Sequence, residues 1–502
     1  MQDKIPTRGI IAIGFLIAVI GAFYIATIRD GNLWADDYAL YVHHAMNIVA
    51  GRAYVATGYV YNPAVPDYSP RAYPPVFPVL LAPICWAYGL SLHAMKVEEV
   101  IFFLLSLAAI TAYYHRNISW PSILAFIALL GFNPNFWSLK DSVIADIPFL
   151  LLFYVTAFVA AQSPREGPRC WQWAVATGIL LYLCVGTRTI GFTVTLGLVV
   201  YELVKYRRLT RFVVTAAGVC FVLILAQRLI VGAGEQSYLD QFRPTAASMW
   251  ANVHEYGGAF MAFWAVPWGK PVSTAAFGIT TCLAALGVPK HIEKGLTTIE
   301  AFLMSYLLVV FWWPSPQGLR FLLPLIPFYI FLMFLGLEWL VSRAGQGKLR
   351  ILAAIPVFLI LLSYFTFFRS ADYGVIRQTD GLPSFVGLCS FIKANAVTGD
   401  VFLFRRARAL SLFTDRPSAV YSLSHPNQLS DDLHRFHVAY IVTSPIFEED
   451  RRALIPFVHG NSSHLKKVYE NLDFQVYRVS VNLDGITGQN LLDWLLNPQA
   501  GS

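Results

Sequence analysis

Apolar residues fall in long blocks along this chain, separated by short polar or proline-rich segments. A hydrocarbon layer about 30 Å thick is crossed by roughly 20 consecutive apolar residues of helix. Windows of that size predict eleven spans, near residues 9–28, 95–114, 120–137, 145–162, 171–187, 190–204, 213–231, 273–288, 297–313, 320–341 and 351–368. A shorter stretch, Val76 to Leu90, follows a proline pair and is interrupted by Pro78 and Pro83. It reads as a helix lying at the interface or re-entering; as a twelfth span it would invert everything downstream.

Past residue 369 the pattern changes. Charged residues become dense and apolar runs short. Asp400-Val-Phe-Leu-Phe and Val438-Ala-Tyr-Ile-Val-Thr read as buried strands, and Leu465-Lys-Lys-Val-Tyr with Phe474-Gln-Val-Tyr-Arg-Val as a terminal strand pair. Pro383 to Ala394 and Glu448 to Val458 have helical spacing. Strands alternating with helices predict a small α/β domain. The expected organisation is a transmembrane module, 1–368, followed by an α/β domain, 369–502, that folds independently and lacks catalytic groups. The chain shows no glycine-rich phosphate loop, nucleophile elbow or internal repeat.

Composition narrows the class. Of 502 residues, 56% are hydrophobic and 13% charged, against about 25% charged in soluble domains. Mean hydropathy is +0.54. These values exclude a soluble globule and a disordered chain, and leave a polytopic membrane protein. The six cysteines have no metal-ligand spacing and read as small buried residues. Net charge is +7. With eleven spans and the N-terminus inside, short cytoplasmic segments hold fourteen basic residues, from Lys4 and Arg8 to Lys348 and Arg350. This is the positive-inside pattern, and it makes nucleic-acid binding a poor explanation of the charge. The first apolar run is long and lacks a small-residue cleavage site, so it reads as a span rather than a signal peptide.

Three segments then face outward: Arg29 to Tyr73, Gly232 to Val272, and the tail. In the first, Asp36 and Asp37 stand just before an amphipathic stretch, Tyr38 to Gly51. On a helix, Asp37, Tyr41 and His44 share a face. Capping of that helix is the alternative use for either carboxylate. The loop closes with Tyr68-Ser-Pro-Arg-Ala-Tyr-Pro-Pro, whose prolines impose an extended path before a helix start. Asp146, two residues before Pro148, opens an apolar span, where a carboxylate is costly unless it faces a polar cavity or partner. Arg188 and Arg320 lie at outer span edges. Each either snorkels to headgroups or forks onto a phosphate. His254 and Glu255 form a weak ligand pair. The residues indicate no divalent metal, and the cofactor requirement stays open.

These landmarks, in this order, resemble the GT-C membrane glycosyltransferases, in particular the protein O-mannosyltransferases, lipid A aminoarabinose transferases and rhizobial galacturonic acid transferases. The resemblance spans the chain: Asp36-Asp37 after the first span, Tyr41 and a helix ending at Gly51, Tyr73-Pro74-Pro75, Asp146-x-Pro148, Thr187-Arg188, and Arg320 with Pro324 and Pro327. It departs where relatives commonly have Asp-Glu for the first acidic pair. It also has Ala72-Tyr73 where aminoarabinose transferases place Glu-Lys, so it implies nothing about that sugar.

The resemblance implies an inverting enzyme of the cell envelope in the plasma (inner) membrane, with a cytoplasmic N-terminus and the tail outside. It would take a sugar from a polyprenyl phosphate and pass it to a glycan, lipid or protein acceptor. By the same resemblance Asp36 is the expected base, with Asp37 its close alternative and Asp146 a further catalytic-site residue. Arg320 and Arg188 are expected to hold the donor phosphate, and Tyr41, Tyr68 and Tyr73 to wall the cleft. A lipid-linked sugar flippase is the alternative class; the absence of related halves speaks against it.

Overall fold

Prolines and capping side chains set where many of the helices begin. The computed structural model describes residues 6–65, 71–231, 245–264, 268–293, 295–313, 316–343, 348–423 and 428–480. α1 (Thr7–Ala26) leads into the first loop, and α2 (Asp37–Val49) follows. Gly51, at φ +64°, ends α2 in the left-handed region that glycine enters without strain. α3 (Val76–Tyr88) opens directly after Pro74-Pro75, with Pro78 in its first turn, where the missing N–H has no helical partner to lose. Ser91 caps α4 (Leu92–Tyr114), its Oγ accepting the Ala94 N–H at 3.3 Å. The expected span 120–137 is two helices, α5 (Trp120–Gly131) and α6 (Pro134–Leu139), because Asn133 and Pro134 start a new helix. The Asn133 side chain accepts the Asn135 N–H at 2.9 Å.

Next come α7 (Asp146–Gln162), α8 (Cys170–Thr187), α9 (Phe192–Tyr206) and α10 (Arg211–Val231). Helices Ala246–Ala262, Lys270–Ile292, Thr298–Trp312, Leu325–Arg343 and Lys348–Ser370 complete the membrane-type part. Helices thus stand at all eleven stretches predicted as spans. Six described ones are long and apolar enough to cross a membrane by length and composition. The rest differ for visible reasons. α7 and Thr298–Trp312 have only 17 and 15 residues, and α4 carries Lys96, Glu98 and Glu99 near its start. Helices Lys270–Ile292 and Leu325–Arg343 touch backbone to backbone. A Cβ on Gly287 would meet the Leu332 carbonyl oxygen at 2.1 Å, and one on Gly336 the Leu283 oxygen at 1.9 Å. Small residues permit such approach where lipid supplies no hydrophobic drive between helices.

Among the described residues the remaining layer is one six-stranded sheet, in the order β1-β3-β2-β4-β6-β5. β1 (Tyr59–Val60), β3 (Ser418–Ala419), β2 (Val401–Leu403) and β4 (Val438–Thr443) run parallel, and β6 (Gln475–Val479) and β5 (Leu465–Glu470) add an antiparallel hairpin. Four of these strands lie where the short apolar runs of the tail placed them. β1 and β3 were not expected, because two residues are too few to show a period. β1 comes from the first loop and pairs Tyr59 with Ser418 and Val60 with Ala419.

That pairing ties the first loop to the tail. Trp34 of the first loop packs its ring against Phe385, Phe447, Phe474 and Phe404, with centroids 5.1, 5.2, 6.3 and 6.4 Å away. A single buried cluster joins Tyr38, Phe77 and Leu81 to Phe402, Phe404 and Val476. Packing between the first loop and the tail thus crosses the division expected at 368/369.

Candidate active site

Five segments far apart in sequence bring charged side chains to one place. α7 begins at Asp146, whose side chain is 1% exposed. Its Oδ2 accepts from Arg320 Nη2 at 2.8 Å and Nε at 3.3 Å, and its Oδ1 accepts from Arg188 Nη1. Arg188 stands in extended conformation between α8 and a short 3-10 turn, and its guanidinium covers the Phe321 ring at 4.9 Å. Arg320 lies on a second 3-10 turn, Gly318–Leu322. Its Nη1 reaches toward Asp37 Oδ2 at 3.7 Å, so one guanidinium spans both carboxylates. The other oxygen of Asp37, Oδ1, accepts from the Tyr73 hydroxyl at 2.8 Å and from Arg408 Nη1 at 3.2 Å. Three guanidinium groups therefore surround two carboxylates. Removing either partner of so buried a pair leaves a charge without compensation.

Asp36 and Asp37 are neighbours in sequence with different surroundings. The Asp36 oxygens accept the backbone N–H groups of Arg408, at 3.2 Å, and Ala409, at 3.0 Å. These belong to the first turn of the tail helix Ala407–Thr414, so Asp36 caps a helix from outside it. Burial raises its carboxyl above the usual range. The charges of Arg408 and Arg406 and the two amides pull it down less strongly. Asp37 opens α2 and keeps 32% of its side chain exposed.

The helical face predicted from spacing is present. Tyr41 stacks on Tyr73, centroids 4.3 Å apart. His44 Nδ1 lies 2.8 Å from the Tyr54 carbonyl, and its Nε2 accepts the Tyr73 N–H at 3.3 Å. Those two partners require the neutral ring with the proton on Nδ1, and burial holds the imidazole down to about 3. His44 thus fixes the path of the loop before Pro74 and brings the Tyr73 hydroxyl onto Asp37.

Of the residues expected from sequence, Asp36, Asp37, Asp146, Arg188, Arg320, Tyr41 and Tyr73 gather here. Tyr68 lies outside the described residues. His254 and Glu255 are both exposed, on helix Ala246–Ala262. Arg408 was missed. The signal was the run Arg405-Arg406-Ala407-Arg408 directly after the apolar run at 401–404. Its side chain is 2% exposed and its guanidinium lies over the Tyr59 ring at 4.9 Å.

Among the described residues no group of three or more His, Cys, Asp or Glu is placed to hold a metal ion. The carboxylates here point at guanidinium groups, which is a poor donor set for a cation.

No protein-family model and no curated protein sequence matches the chain. Solved structures do. ArnT from Cupriavidus metallidurans bound to undecaprenyl phosphate is 13% identical, with TM-score 0.59, covering 95% of this chain and 99% of that one. The arabinofuranosyltransferase AftD from Mycobacteria is 12% identical, with TM-score 0.53, covering 93% of this chain and 40% of that one. The Archaeoglobus fulgidus oligosaccharyltransferase in complex with Zn and sulfate is 10% identical, with TM-score 0.56, covering 92% and 73%. All three are GT-C glycosyltransferases, and this chain has the GT-C fold.

Proposed function

We propose that the protein is an inverting glycosyltransferase that moves a sugar from a polyprenyl phosphate to an acceptor on the outer face of the membrane. The observation that supports this most is the surplus of positive charge around Asp37 and Asp146. Three arginines face two carboxylates, each on the first residue of a helix. A lipid-linked phosphate keeps its tail in the bilayer and its headgroup at that level. Arg320 and Arg188 offer the planar forks that suit it.

In this reading Asp37, rather than the Asp36 expected from sequence, is the base, because Asp36 has its oxygens on helix amides. Asp37 takes the proton of the acceptor hydroxyl as the oxygen attacks the anomeric carbon from the face opposite the phosphate. The bond from that carbon to the phosphate oxygen breaks, and its electron pair leaves on the phosphate. Arg320 and Arg188 stabilise the charge. Asp146 holds both guanidinium groups in one orientation. The stacked pair Tyr41 and Tyr73 walls the cleft beside Asp37. All eleven stretches cross the membrane in this reading, placing the N-terminus in the cytoplasm and residues 369–502 outside, with the chain in the plasma (inner) membrane. Acceptors are glycan, lipid or protein hydroxyls.

The test of the phosphate site is binding of undecaprenyl phosphate to purified protein in nanodiscs. Arg320→Ala is expected to weaken affinity at least about tenfold, and Arg320→Lys to recover only part, because lysine lacks the two-pronged contact. Unchanged affinity in the alanine variant overturns the assignment. Full recovery by lysine returns Arg320 to a snorkelling role.

A further inference from the structure

The two oxygens of Asp37 have different partners. Oδ2 faces Arg320 at 3.7 Å. Oδ1 is held by the Tyr73 hydroxyl at 2.8 Å and by Arg408 Nη1 at 3.2 Å, and Arg408 Nη1 also approaches the Tyr73 oxygen at 3.4 Å. The two arginines differ in access. Arg320 keeps 29% of its side chain exposed, and Arg408 keeps 2%. A phosphate entering the cleft meets Arg320 and not Arg408. It competes with Asp37 for Arg320, because a phosphate accepts from a guanidinium fork at least as well as a carboxylate does. Asp37 then loses its partner on Oδ2.

Arg408 is itself anchored. Its backbone N–H donates to Asp36 at 3.2 Å, and its guanidinium lies over the Tyr59 ring at 4.9 Å. We propose that Arg408 is a positioning residue. It holds Asp37 by Oδ1 when the donor phosphate draws Arg320 away, which leaves Oδ2 to take the acceptor's proton. The inference rests on the reading above, and it makes the tail a contributor to the reaction through one side chain. Asp36 and Asp37 then act on one residue: the first fixes its backbone and the second uses its guanidinium.

The experiment uses full-length protein in nanodiscs with Arg408→Ala, Arg408→Lys and Arg408→Gln. Undecaprenyl phosphate affinity is expected to stay within about threefold of wild type in all three, unlike Arg320→Ala. With a polyprenyl-phosphate sugar that the wild type accepts, kcat of Arg408→Ala is expected to fall at least about 100-fold with little change in donor KM. Methylguanidinium added to Arg408→Ala is expected to restore at least about tenfold, and lysine to recover part. A kcat within about threefold of wild type overturns the proposal. So does a loss that tracks the unfolding temperature and resists methylguanidinium. If the wild type transfers sugar from no polyprenyl phosphate, the transferase reading falls, and a structure of Arg408→Gln decides the positioning role alone. A displaced Asp37 carboxylate with the Arg320–Asp146 pair intact supports the role, and an unmoved Asp37 refutes it.

Discussion

Asp36 Oδ1 accepts the backbone N–H of Ala409 at 3.0 Å, so a residue of the first loop caps a helix that begins 371 positions after it, at Ala407. In the proposed reading, adjacent carboxylates then have different work. Asp36→Asn is expected to lower stability by roughly 1–2 kcal/mol, the scale of a weakened helix cap, while turnover falls less than about tenfold. Asp37→Asn keeps an acceptor for Arg408 but removes its counter-charge, so it is expected to lower stability as well, and to reduce turnover at least about 100-fold, the scale of a lost general base. Thermal unfolding and sugar-transfer assays on both variants check this, and the reverse order of effects returns the role to Asp36.

Asp146 is the counter-charge of both Arg188 and Arg320. Asp146→Ala leaves two guanidinium groups without it and is expected to destabilise the protein by about 3–5 kcal/mol, the usual consequence of breaking a buried pair. Asp146→Asn keeps acceptor geometry and should lose less. Equal unfolding temperatures for wild type and Asp146→Ala would show that the cluster contributes nothing to stability.

The tail carries a pH-sensitive carboxyl away from the cleft. Burial pushes Asp450 up to about 7, against the partial opposition of the Tyr421 hydroxyl and of the Ser444 N–H, which donates at 2.7 Å. A carboxyl raised in the folded state stabilises fully below its unfolded pKa of about 3.9, and that contribution is lost as pH rises through about 7. Wild-type stability should therefore decline between about pH 4 and 7, by at most about 4 kcal/mol from this group. Asp450→Asn resembles the protonated form, accepting from Ser444 and donating to Tyr421, and should flatten that decline. Parallel pH curves for the two proteins would remove Asp450 as the cause.

Ending the chain after Arg369 removes the ring partners of Trp34, the amides that Asp36 accepts, and Arg408 from Asp37. The truncated protein is expected to lose its sharp unfolding transition and all transfer activity. Size-exclusion behaviour and unfolding in detergent measure this. A stable, fully active truncation would restore the view of the tail as an independent unit.

Some of this was legible in the sequence for physical reasons. Asp146, Arg188 and Arg320 stood out because ionised groups at the edge of an apolar span demand partners. Asp37, Tyr41 and His44 stood out because spacings of four and three share a helical face. Arg408 did not stand out. Its partner Asp37 is 371 residues away, and charged residues are ordinary in a polar tail. The capping contact of Asp36 was equally hidden, because the helix that Asp36 caps is not the one it precedes. β1 was invisible as a two-residue strand, and with it the stitching of the first loop to the tail.

The central claim is that Asp37 and the arginines around it transfer a sugar from a lipid-linked phosphate. The most direct measurement supplies purified wild-type protein and Asp37→Asn with a panel of labelled polyprenyl-phosphate sugars and acceptor-bearing membranes. Release of polyprenyl phosphate and appearance of labelled product are followed together. The account predicts matched release and transfer with at least one donor in the wild type, and at least about a 100-fold loss of both in Asp37→Asn with undecaprenyl phosphate binding retained. Movement of intact donor across the bilayer without release of polyprenyl phosphate, or full transfer by Asp37→Asn, would contradict it.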